Sequence, residues 1–340
     1  MIVTLFEKYA PGQSAWHGVD GTLGGGLVYS RANMANDVAT QDLETVPWSI
    51  RFKFGLSRFF FGAVLKCFSL SGLYALGKAF GICEWLVNHK RRRRFHERMK
   101  QLFGDQYDRR RMRSACRRYF VRLRCDRIYY LIFDLLPPEK IIRRIHFPQR
   151  ELIDASDTRG RGVYMAMSHL GAQHVAGLLM CFLGYKTAAV RDRNEGPLRR
   201  YVQERFARRF SEVRAARIFY ADDLPRDIYR WFQSGGLLGS ALDTERAKNP
   251  NLKRAAVEIF GEKKEFLTGT IQIALRCKAA IHQGFIVSKP NFHYDLLGSP
   301  VLIDPDEGQD TEAVVQELMQ AYARNIEAHL REFPELVSRI

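Results

Sequence analysis

The residues best suited to chemistry gather in "VYMAMSHLGAQHVAG" at 163–177. A short apolar run ends at Ser168-His169, turns through Gly171, and enters a helical pattern that carries a second histidine, His174. Histidine is the side chain whose ordinary pKa lies close enough to neutrality to take a proton and return it. At the mouth of a strand–turn–helix unit His169 is a candidate general base, and such a base needs a partner that fixes its tautomer. The nearby polar partner in sequence is His174. Two further candidates close later apolar runs: Arg191 in "AVRDRN" and Asp243 in "GGLLGSALD". Other chemistries lack their signatures. There is no G-x-S-x-G elbow. "GTLGGG" at 21–26 lacks the Lys-Ser/Thr of a phosphate-binding loop, and the six cysteines show neither CxxC nor Cys/His ligand spacing. No metal is therefore expected, and the cysteines read as small buried hydrophobes in a reducing compartment.

Elements must hold these residues together. From about residue 150 the pattern alternates, with strands expected at 161–167, 186–191, 216–220, 236–242 and 280–287. Helices are expected at 172–183, 196–210, 224–233, 268–277 and 310–332. Short apolar strands separated by helices predict an α/β fold with a mostly parallel central sheet flanked by helices. In such sheets ligands bind outside the carboxyl ends of the strands. His169, Arg191 and Asp243 each fall just past an expected strand end.

The first 136 residues have a different character. Residues 1–50 are rich in Gly, Asn, Asp and Ser and read as a flexible leader; 51–136 read as a membrane-associating and basic helical region, and 137–340 as the α/β domain. The stretch "FFFGAVLKCFSLSGLYALGKAFGICEWLV" at 59–87 is apolar but broken by Lys66, Lys78 and Glu84. A lysine in mid-bilayer costs ~2.5–3.5 kcal/mol, so a helix lying in the interface is favoured over a true span. "HKRRRR" at 89–94 follows directly. Of the chain's net charge of +16, the segment from Lys90 to Arg127 supplies +12, sixteen Lys/Arg against four acids. Cations beside an apolar helix suit an anionic membrane surface. Nucleic acid is the rival polyanion, with Tyr119, Phe120, Tyr129 and Tyr130 as stacking groups. Those aromatics alternate with Ile and Leu, which suits a buried stripe, so no nucleic-acid partner is expected. The N-terminus lacks the basic-then-apolar layout of a secretory signal.

With those positions in hand, the chain resembles the bacterial lauroyl/myristoyl acyltransferases of lipid A biosynthesis, within a wider lysophospholipid acyltransferase-like group that includes the phosphatidylinositol mannoside acyltransferases. The resemblance runs from roughly 52 to 335 and rests on "GRGVYMAMSHLG", "AVRDRN", "GGLLGSALD" and "IFGEKKEFLTGTIQIALRCKAAIHQGFI". It implies an acyl transfer from an acyl carrier protein or coenzyme A thioester to a hydroxyl of a lipid or glycolipid, with no other cofactor, at the cytoplasmic face of a bacterial inner membrane. In the family's HxxxxD/E pattern the histidine is the base and the acid orients it. Here His169 matches the base and the acid's position falls on His174. Gly171 matches the glycine of the turn, and Arg191 the arginine ending the next strand. Asp243 matches the aspartate after the "GG–strand" block, and Thr268-Gly269 the small residues opening the following helix. The departure at 174 leaves an alternative: a catalytically weakened relative that binds acyl lipid without turnover.

Overall fold

The computed structural model describes residues 46–104, 107–191, 196–220, 225–243, 252–300, 302–303 and 312–337. Most of the expected leader lies outside them.

The apolar stretch of the N-terminal region forms two helices, α1 (Trp48–Cys67) and α2 (Leu70–Val87). The break is chemical. Phe68 is extended, and the Ser69 side chain accepts the Gly72 N–H at 3.3 Å, capping α2. Asn88 caps α3 (His89–Phe103) and Asp108 caps α4 (Arg109–Ile132) in the same way, through the Arg91 and Arg111 N–H groups. Among the described residues no helix is long and apolar enough to cross a membrane. Glu84, which interrupts the apolar stretch, turns inward: it is 5% exposed and pairs with Arg124 of α4 and, at 2.6 Å, with Arg91. The first arginines of the basic run thus serve the interior. Arg91 neutralises Glu84, and the Arg92 guanidinium lies 5.7 Å from the Trp85 ring centroid.

After β1 (Ile145–His146) and α5 (Arg150–Asp157) the chain alternates as its pattern predicts. The units are β2 (Val163–Met167), α6 (Gln173–Cys181), β3 (Thr187–Arg191), α7 (Pro197–Arg209), β4 (Arg217–Tyr220), α8 (Pro225–Gln233) and β5 (Leu237–Ala241). An antiparallel pair follows, β6 (Arg254–Ile259) and β7 (Glu262–Leu267), then α9 (Gly269–Arg276), β8 (Ala280–Lys289), β9 (His293–Gly298) and α10 (Glu312–Glu332). The main sheet has seven strands in the order β1-β9-β8-β2-β5-β3-β4, and every pairing is parallel except β8 with β9. Its central strand is buried nearly throughout, from Val163 to Ala166, because helices cover both faces.

Among the described residues, the two larger of three apolar clusters lie on either side. One joins Trp85, Phe95, Met99 and Phe120 of the N-terminal helices to Tyr164, Leu238 and Tyr322. The other joins Ile50, Phe54 and Phe61 of α1 to Tyr129, Phe133, Val175 and Phe206. The helical region and the sheet therefore share their apolar interior.

Candidate active site

Strand register brings the site together before any side chain is considered. In the parallel pair β2–β5, Met167 lies opposite Ala241. His169 and Asp243 each stand two residues beyond those partners, so both leave the sheet at the same level on adjacent strands. The Leu242 N–H donates to the Met167 carbonyl at 3.2 Å, which extends the pairing by one step past the strand ends.

The contact that results uses both oxygens of one carboxylate. Asp243 Oδ1 lies 2.8 Å from His169 Nδ1, and Oδ2 accepts the His169 backbone N–H at 2.8 Å. An ionised carboxylate only accepts hydrogen bonds, so the ring proton sits on Nδ1 and Nε2 becomes the proton-accepting nitrogen. The Asp243 side chain is 4% exposed and that of His169 24%, which shields the pair from water while leaving the ring within reach of solvent or substrate. The backbone bond fixes the main chain of the loop, and the ring bond fixes tautomer and rotation.

The turn after His169 is equally constrained. Gly171 adopts φ +62°, and a Cβ at that position would meet the Ile286 carbonyl oxygen of β8 at 2.7 Å. Only glycine allows both the left-handed backbone and the close approach. The Gly171 N–H also donates to the Leu336 carbonyl at 3.3 Å, and Tyr322 Oη of α10 donates to the Met167 carbonyl at 2.7 Å. The C-terminal part of the chain thereby holds the histidine loop.

His174 has neighbours of its own. It occupies the first turn of α6, and its ring packs edge-on against Tyr130 of α4, centroids 4.8 Å apart. Removal from water, with the charges of Arg199, Arg127 and Arg122 nearby, pushes its pKa down to about 3. A neutral imidazole held against a tyrosine is not the carboxylate that the resemblance places there. The acid that contacts His169 comes instead from the next strand, at Asp243, which the motif spacing within 169–174 does not reveal.

Arg191 ends β3, one strand beyond β5, and its guanidinium donates to Gln203 Oε1 of α7. Thr268 is buried and opens α9 with Gly269, and the preceding Leu267 N–H donates to the carbonyl of Leu242, the neighbour of Asp243, at 3.1 Å. Behind them Tyr164 Oη meets Ser240 Oγ at 2.6 Å and Thr270 Oγ1 at 2.8 Å, a buried hydroxyl cluster tying β2, β5 and α9 together. Gln203, Tyr322 and the Tyr164 cluster went unread in the sequence, because at helical and strand spacing they look like ordinary core and surface residues. Among the described residues no group of three or more His, Cys, Asp or Glu side chains is placed to hold a metal ion.

A family model described as bacterial lipid A biosynthesis acyltransferase matches residues 57–336, more than four-fifths of the chain. No curated protein matches the sequence.

Proposed function

The chain belongs to the bacterial lipid A biosynthesis acyltransferase family, and from that premise we propose that it transfers a fatty acyl chain from a thioester to a hydroxyl of a lipid or glycolipid, with His169 as general base and Asp243 as the group that orients it. One observation carries the reading: a single buried carboxylate holds both the backbone and the ring of His169 at the carboxyl edge of a parallel sheet. A thioester of acyl carrier protein or coenzyme A is already activated, so no enzyme nucleophile is needed. His169 Nε2 takes the proton of the acceptor hydroxyl as its oxygen attacks the thioester carbonyl. The tetrahedral oxyanion collapses, the C–S bond breaks, and the departing thiolate takes the proton from the imidazolium. Asp243 stabilises that imidazolium by charge, which a second imidazole at 174 does not do. The pair thus favours turnover over an acyl-lipid-binding relative without it. Arg191, held by Gln203, is suited to a phosphate or carboxylate of donor or acceptor.

Members of this family act at membranes, and we place this one on the cytoplasmic face of the inner membrane, attached by the N-terminal helical region. The test is acyl transfer from acyl-thioester donors to phospholipid and glycolipid acceptors, wild type beside His169→Ala. Transfer by the wild type and its loss in the variant are expected. A fully active His169→Ala enzyme sinks the mechanism.

A further inference from the structure

A second built feature lies on the opposite side of α7 from the helix face that serves the site. Gln203 and Phe206 point toward Arg191 and Tyr130. Tyr201, Arg205, Arg208 and Arg209 occupy the other face and line a cleft of about 540 Å³ with Arg51 and Arg58 of α1. Among the described residues the one carboxylate in its wall is Asp134, whose side chain is 4% exposed. Arg58 grips it with two hydrogen bonds, at 3.2 and 3.0 Å, and Arg205 adds a third at 3.1 Å. Five arginines against one acid leave the cleft strongly cationic. The Asp134 bonds fix two of the guanidiniums, and Arg51, Arg208 and Arg209 stand exposed beside them.

The second observation is independent of the charge. Helix α1 buries Ile50, Phe54, Ser57 and Phe61, and turns Trp48, Phe52, Leu56 and Phe59 outward. Trp48, Phe52 and Phe59 are 69%, 54% and 75% exposed. Successive residues are 100° apart on a helix, so these four form one continuous outer stripe, and Arg51 and Arg58 share its edge. An aromatic stripe exposed among the described residues marks an interaction face. Its border of guanidiniums selects the partner: aromatic rings suit the headgroup–acyl boundary of a bilayer, and arginine forks suit lipid phosphates.

We propose that the α1–α7 cleft binds the phosphate of an anionic membrane lipid while the α1 stripe sits among the acyl chains beside it. This deepens the membrane-associated reading above and rests on it. It also moves the attachment. The sequence pairs the apolar run at 59–87 with "HKRRRR" at 89–94, whereas the exposed rings begin at Trp48 and their neighbouring cations come from α1 and α7.

The test is flotation of the full chain with vesicles of phosphatidylcholine alone and of phosphatidylcholine with about a third phosphatidylglycerol. Wild type should prefer the anionic vesicles. Replacing the exposed Arg51, Arg208 and Arg209 by Gln should cut that preference by about tenfold or more. A control triple, Lys90→Gln, Arg93→Gln and Arg94→Gln, removes the same charge from α3 and should change it far less. Trp48→Ser with Phe52→Ser should weaken binding to both vesicle types. Inorganic phosphate should displace the wild type better than chloride of equal ionic strength, because it competes for the same guanidiniums. Equal losses in the two triples, an unchanged preference in the first, or displacement by phosphate no better than by chloride overturns the cleft assignment and leaves acyl transfer untouched. A wild type that floats with neither vesicle overturns the membrane reading as well.

Discussion

At the scale of single residues, the site turns on which side chain orients His169. Position 174 is where the family pattern puts the acid, and its imidazole is held by Tyr130 instead. Asp243 makes both bonds to His169. Asp243→Asn should leave the loop folded, since the amide oxygen can still accept one of the two N–H groups. It should nonetheless reduce transfer by about 10³–10⁴, by analogy with orienting carboxylates in triad enzymes. The loss should appear in kcat far more than in KM. A variant within about tenfold of wild type would remove Asp243 from the mechanism. His174→Glu gives the complementary measurement. Its carboxylate would enter a position beside Tyr130 with Arg199, Arg127 and Arg122 nearby, while the Nδ1 of His169 is already satisfied by Asp243, so no gain in rate is expected. A tenfold gain, about 1.4 kcal/mol of barrier, would show that position 174 still governs the histidine.

At the scale of elements, the strand ends and the turn between β2 and α6 do the positioning. Gly171→Ala forces an alanine to φ +62° and drives its Cβ to 2.7 Å from the Ile286 oxygen. The left-handed backbone alone costs about 1–3 kcal/mol, and the clash must shift either the histidine loop or β8. A lower melting temperature and a lower kcat are expected together, because the same displacement pulls His169 from Asp243. Unchanged activity in a destabilised variant would confine Gly171 to folding. Much of this architecture is legible in sequence. The β2, β3, β4, β5 and β8 segments and the helices α6 to α10 follow from apolar runs and helical spacing, with ends within two residues of those expected. What was not legible has physical causes. The β6–β7 pair carries Glu258, Glu262, Lys263, Lys264 and Glu265 on a small separate sheet, and its turn rests on positive φ at Phe260 and Gly261. Neither reads as an apolar strand. Strand β9 follows β8 through a short turn with Asn291 at φ +58°, so its antiparallel return broke the alternating pattern. The Asp243–His169 contact depends on strand order, which local periodicity does not contain; the strand ends named both residues, and only register joined them.

At the scale of the whole molecule, composition suggests a basic helical region attached to an α/β domain, and the packing shows how closely the two are bound. Trp85, Phe95, Met99 and Phe120 lie in one apolar cluster with Tyr164, Leu238 and Tyr322. On the other side of the sheet α1 contributes Phe54 and Phe61 to the cluster containing Val175 and Phe206. Charge reinforces the join, since Arg58 of α1 and Arg205 of α7 share the buried Asp134. Separating residues 51–136 from the rest would expose both clusters and leave Asp134 without one of its cations, and a buried carboxylate that loses a partner is strongly destabilising. The chain should therefore unfold in one cooperative transition, with the calorimetric enthalpy equal to the van't Hoff enthalpy. Residues 137–340 expressed alone should lack that transition and expose apolar surface to a hydrophobic dye. Two resolved transitions in the full chain, or a cooperative melt of 137–340 alone, would show that the sheet folds without the helices and that their shared core adds little to its stability.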